Sequence, residues 1–141
     1  MLTLYIENKW EGCVLTVFLL PAEENKDVRK TIESFITDNL SVKFVLVNNI
    51  KEINDSKKET PWYGVFYDNE FLEEKLTEAL STFFILEKAD ILVVFKLIKE
   101  KALFFPRFYR DWILLKEDLT PLQEGLNHQK ILNGWILENK K

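Results

Sequence analysis

Cysteine is almost absent from this chain. Cys13 is the only one, so no disulfide can form within the chain. It stands beside the apolar run 14–20, where a free thiol is expected to pack as a small buried hydrophobe. Glycine is scarce and scattered, at Gly12, Gly64, Gly125 and Gly134, which leaves no Gly-rich loop to cradle a phosphate. A single histidine, His128, and a single cysteine exclude any Cys/His zinc spacing. None of Ser34, Ser41, Ser56 and Ser81 stands in the Gly-x-Ser-x-Gly elbow of a hydrolase. Long apolar runs are missing too: the longest, 14–20, has seven residues, against the roughly twenty that span a bilayer. The N-terminus lacks a basic stretch followed by an apolar one, so a cytoplasmic chain is expected. A formal charge of −4 gives no overall attraction to nucleic acid or to an anionic membrane.

What is present suits one globular domain, residues 1–141. The chain is 47% hydrophobic, and its eleven Phe, four Trp and four Tyr supply the large rings from which a small core is built. Residues 2–6 alternate like a strand. Residues 14–20 and 42–47 are apolar and β-prone throughout, the pattern of strands buried on both faces. Between them Val28, Ile32, Phe35 and Ile36 share one helical face over 27–37, with Asp27 placed to cap it. The polar stretch 51–60 reads as a loop. Further strands are expected at 63–67, 91–97, 102–105 and 112–115, and further helices at 70–84 and 127–137. Strands alternating with helices predict an α/β three-layer sandwich with a mostly parallel sheet.

The order of several segments then resembles a known family. Leu15-Thr-Val-Phe-Leu-Leu-Pro, Val28-Arg-Lys-Thr-Ile-Glu-Ser-Phe and Val42-Lys-Phe-Val-Leu-Val-Asn-Asn resemble the opening strand–helix–strand of family 2 glycosyltransferases. Tyr63-Gly-Val-Phe-Tyr-Asp-Asn-Glu looks like the strand that carries that family's Asp-x-Asp signature. Ala89-Asp-Ile-Leu-Val-Val-Phe and Phe105-Pro-Arg-Phe-Tyr-Arg are similar to downstream segments, so the resemblance covers about residues 14–115. It implies a minimal GT-A-like fold and transfer of sugar from a nucleotide-sugar donor to an acceptor, assisted by Mn²⁺ or Mg²⁺. On the matching positions, Asp68 and Glu70 would hold the metal, Asn48 would lie near the nucleotide, and Arg107 and Arg110 near its phosphates.

The residues themselves leave other roles open. Asp68 can instead cap a helix that starts after it, with Glu70 at its positive end. Arg107 and Arg110 can pair with acidic side chains while the rings around them fill the core. His128 reads as a surface residue, and Trp62, Trp112 and Trp135 as packing groups rather than sugar platforms. Asn48 and Asn49 stand where the family has a carboxylate, and the interval from Asn48 to Asp68 is too short for a full nucleotide-binding half. The second functional expectation is therefore a non-catalytic scaffold, a component of a larger or phage assembly that binds a protein partner or itself.

Overall fold

The computed structural model describes residues 2–5 (as backbone), 14–22, 27–37, 40–86 and 88–138. Ile6, Gly12 and Cys13, on which expectations were placed above, lie outside the described residues.

The apolar run at 14–20 forms β2 (Leu15–Leu20), buried at all six positions. Its parallel neighbours are β3 (Val42–Leu46) on one side and β4 (Trp62–Tyr67) on the other. Two helices make the crossovers. In α1 (Val28–Ser34) the Asp27 carboxylate accepts from the Lys30 amide at the N-terminus. The second, α2 (Ile50–Asp55), occupies the front of the stretch expected to be a loop. Its order has a local cause: the Asn49 side chain accepts from the Glu52 amide, and the Glu52 carboxylate accepts from the Asn48 amide. Ile50 and Ile53 then tie the helix to the core.

From residue 68 onward the chain departs from the expected plan. The segment 70–84 is not one helix but a short strand, β5 (Glu70–Leu72), followed by α3 (Glu74–Phe84), which Glu73 caps. After β6 (Ile91–Ile98) comes a single strand, β7 (Lys101–Arg110), running through Pro106, where two strands flanking a break were expected. Pro106 is tolerated because β7 pairs with β4 only over Phe108–Arg110, so the proline sits at a bulge beyond the last β4 partner. Residues 112–115 form part of a loop, touching a strand-like partner only where Leu115 bridges Pro121. The expected C-terminal helix is β8 (His128–Glu138), which lies parallel to β6 and antiparallel to β5. Gly134, with φ +75°, sits in an irregular stretch of β8 that presses on the start of α3, where a Cβ would lie 2.5 Å from the Leu76 amide nitrogen.

With β1 (Leu2–Tyr5) at one edge, the described strands form one sheet in the order β1-β3-β2-β4-β7-β6-β8-β5. Three of its pairings are parallel and four antiparallel. The fold is therefore mostly β, a mixed sheet curled into a half-barrel, and not the three-layer α/β sandwich of GT-A type. The misreading has a physical reason. Both faces of β2 and β4 are covered, so these strands look apolar whichever way their neighbours run. On one face α1 and α3 pack over Leu15, Val17, Phe44, Phe66 and Phe108. On the other, α2 and the segment 111–127 pack over Phe18, Val45, Tyr63 and Tyr109.

Chain length dictates the curl. A flat run β4-β7-β6-β8-β5 would set its outer strands about 19 Å apart, at about 4.8 Å per spacing. Yet Tyr67 ends β4 and Glu70 begins β5, a step of three residues that reaches at most about 10 Å. The sheet must bend until its last strand returns to its fourth.

The β6–β7 hairpin turns through Lys99 and Glu100, whose φ values of 48° and 68° mark a type I′ turn. Neither side chain favours the left-handed region. Replacing Lys99-Glu100 by Asn-Gly is expected to raise stability by about 1 kcal/mol, read as a higher urea midpoint with an unchanged slope.

Candidate functional site: a buried ion cluster at the closure of the sheet

The two-residue turn at Asp68 and Asn69 is held from both sides. The Asp68 amide donates to the Leu20 carbonyl, and its carboxylate accepts from the Ala22 amide at 2.9 Å. Thr31 of α1 donates to the Asp68 carbonyl at 3.1 Å. Asp68 thus fastens the end of β4 to the end of β2 and to α1.

Glu70, two residues on, has no exposed surface. Its Oε1 accepts from Arg107 Nη1 at 2.6 Å and from the Tyr67 amide at 2.7 Å. Its Oε2 accepts from Arg107 Nη2 at 2.9 Å and from Lys96 Nζ at 2.5 Å. Lys96 Nζ also reaches Glu138 Oε1 at 2.7 Å. Two carboxylates and two cations therefore balance in charge inside the curl. A carboxylate offers about four acceptor positions, and all four on Glu70 are filled; a metal ion would have to displace Arg107 or Lys96. Among the described residues no group of three or more His, Cys, Asp or Glu converges to hold a metal.

A β-bulge aims Arg107. Leu92 pairs with Phe108 and Val93 with Pro106, which leaves Arg107 as the extra residue, turned into the sheet's interior. There its guanidinium lies 5.3 Å from the Phe66 ring centre and 5.8 Å from those of Tyr67 and Phe105. Its Nε is buried without a hydrogen-bond partner. Burial alone pushes the Glu70 carboxyl up, but Arg107, and then Lys96, outweigh that and hold it below its ordinary value. Burial likewise works against the Arg107 charge, and Glu70 more than compensates, so its pKa stands raised.

The other expected site residues are dispersed. The Arg110 guanidinium lies over the Trp62 ring, 4.1 Å from its centre, and donates to the carbonyls of Ala89 and Leu86 just past α3. Trp62 is buried and donates to the Phe84 carbonyl. Asn48 is exposed and bonded to Glu52. His128 is exposed at the start of β8, with Nδ1 against the Leu126 carbonyl. Of the expected metal and nucleotide ligands, the structure brings Glu70 and Arg107 together. Lys96 and Glu138 were missed, although a lone lysine inside the apolar run 91–97 signals a buried carboxylate partner. No family model, curated protein or solved structure matches the chain.

Glu70→Gln removes the carboxylate that Arg107 pairs with and leaves Lys96 with Glu138 alone, and is expected to cost about 3–5 kcal/mol. The pH dependence has a definite sign. Because the folded carboxyl is held low, its contribution is present above the unfolded value of about 4.3 and lost as pH falls through the lower folded value. Denaturant midpoints measured from neutral to acid pH should fall less steeply for Glu70→Gln than for wild type. Parallel acid limbs would remove Glu70 from this role.

Proposed function

We propose that this chain is a non-catalytic interaction module, which holds a rigid surface loop for a protein partner. The observation that carries this reading is the segment 111–127, between β7 and β8. Connections this long are uncommon in compact domains unless they are functional or disordered. This one is braced throughout. Tyr63 donates its hydroxyl to the Ile113 carbonyl at 2.5 Å, and Tyr109 to the Leu119 carbonyl at 2.7 Å. Burial raises both phenols well above their ordinary values, so they remain donors. The Asn54 side chain closes a two-way bond with the amide and carbonyl of Leu115. Leu122 donates its amide to the Leu114 carbonyl, and Gln123 bonds the Leu114 amide and the Trp112 carbonyl.

Ile113, Leu115 and Leu119 anchor this loop in the core. Three further apolar residues of the segment are exposed. Trp112, Leu114 and Leu122 are 52%, 40% and 50% exposed, and the cross-loop bonds tie the stretch 112–114 to 122–123. Ordering a loop costs conformational entropy, and here the order holds a Trp and two Leu in water. Rigid aromatic and aliphatic groups of this kind are the usual anchors of protein interfaces. The charged groups that suggested sugar transfer, by contrast, are engaged within the fold: Glu70 and Arg107 with each other, Asp68 with Ala22, Arg110 with carbonyls.

Calorimetric titration of Mn²⁺ with UDP or GDP is expected to give no binding heat. A metal-dependent nucleotide signal that disappears in Asp68→Ala would overturn the non-catalytic reading and restore sugar transfer. Trp112→Ala and Leu122→Ala should each change stability by less than about 0.5 kcal/mol, because their side chains serve the surface. A large loss would make the patch structural.

A further inference from the structure

The charges around the exposed loop say what kind of partner fits it. Asp111, Glu117, Asp118 and Glu124 are all exposed within the same segment, against one exposed cation, Lys116. One of these acids is held in place by its neighbours. Asp118 bonds the amide and hydroxyl of Thr120, which holds its carboxyl below the ordinary range, so it remains charged. Leu119, with φ 70°, turns the chain sharply beside it. The loop thus exposes three apolar side chains, Trp112, Leu114 and Leu122, together with four acids and one lysine.

That sign excludes several occupants. A second copy meeting the same loop across a two-fold axis would bring acidic loop against acidic loop. Nucleic acids and anionic lipid surfaces are repelled for the same reason. A loop that exposes apolar groups and an excess of acids complements a segment whose aliphatic or aromatic side chains are flanked by Lys or Arg. We infer that the loop 111–127 docks a basic, apolar-bearing segment of a partner protein, with Trp112, Leu114 and Leu122 as its seat and Glu117 and Glu124 among the charges that select it. This rests on the interaction-module reading and names the chemistry of its partner.

Two labelled peptides with identical Leu and Phe positions, one flanked by Lys and Arg and the other by Glu and Asp, provide the test. Binding to the full chain would be followed by fluorescence anisotropy at low and at physiological salt. The basic peptide should bind about tenfold or more tightly than the acidic one, and weaken as salt screens the acids. Trp112→Ala should weaken it at least about tenfold. Glu117→Lys combined with Glu124→Lys should reverse the preference, with the fold checked by its urea midpoint. Equal binding of both peptides, lost in Trp112→Ala, would overturn the basic partner and leave the module reading standing. Peptide binding that ignores Trp112, or no binding of either peptide, would overturn docking at this loop altogether. A wild-type dimer in sedimentation velocity that Trp112→Ala dissolves would assign the patch to a second copy instead.

Discussion

Glu70 lies without exposed surface between Arg107 and Lys96, and it does so at the one place where the sheet has to turn back on itself. The short link from β4 to β5 brings a carboxylate under the curl. The bulge in β7 brings a guanidinium to meet it, and β6 supplies the ammonium. Each charge would be costly to bury alone, and together they neutralise one another at short range. The geometry of four strands thus meets at one side chain: move β5, β6 or β7 and a buried charge is left unanswered. Ionic contacts of this kind add little net stability over a well-packed apolar core. What they add here is a demand for one arrangement of the strand ends.

Away from this cluster, aromatic packing sets the rest. Tyr63 and Tyr109 stack with ring centres 5.2 Å apart on the face opposite α1 and α3, and both send their hydroxyls into the long loop. The same two rings fill the core and hold the surface. The loop is therefore tied to the sheet beneath it, with Trp112 one residue before the carbonyl that Tyr63 holds. Structure and proposed function connect through these two phenols: the core orders the loop, and the loop presents its apolar groups without further folding on binding.

Much of the local structure was legible from neighbouring residues alone. The runs at 14–20, 42–47 and 63–67 became β2, β3 and β4, and Asp27 caps α1 as its position suggested. The helix at 50–55 escaped notice because its polar residues resemble a loop, and only two isoleucines and a cap distinguish it. The tail at 127–137 was expected to be a helix; in the fold Ile131 and Ile136 are both buried against β6 across an irregularity that a strand accommodates. At the site, Glu70 was singled out as a metal ligand or a helix-end charge, and Arg107 as a phosphate ligand or the partner of an acidic side chain; the last holds, with Glu70 as the acid. Nothing in the local pattern shows that they answer each other.

The sequence by itself determined which segments are buried, where most of them begin and end, and that no disulfide or zinc cluster supports them. These properties follow from hydrophobic spacing and caps, which act over a few residues. Only the tertiary structure decided the direction of each strand, the closure of the sheet and the pairing of its buried charges. Those depend on contacts between residues 26 and 37 positions apart, Glu70 with Lys96 and with Arg107. Such contacts form only when every strand between them has found its place, and no local pattern encodes that outcome.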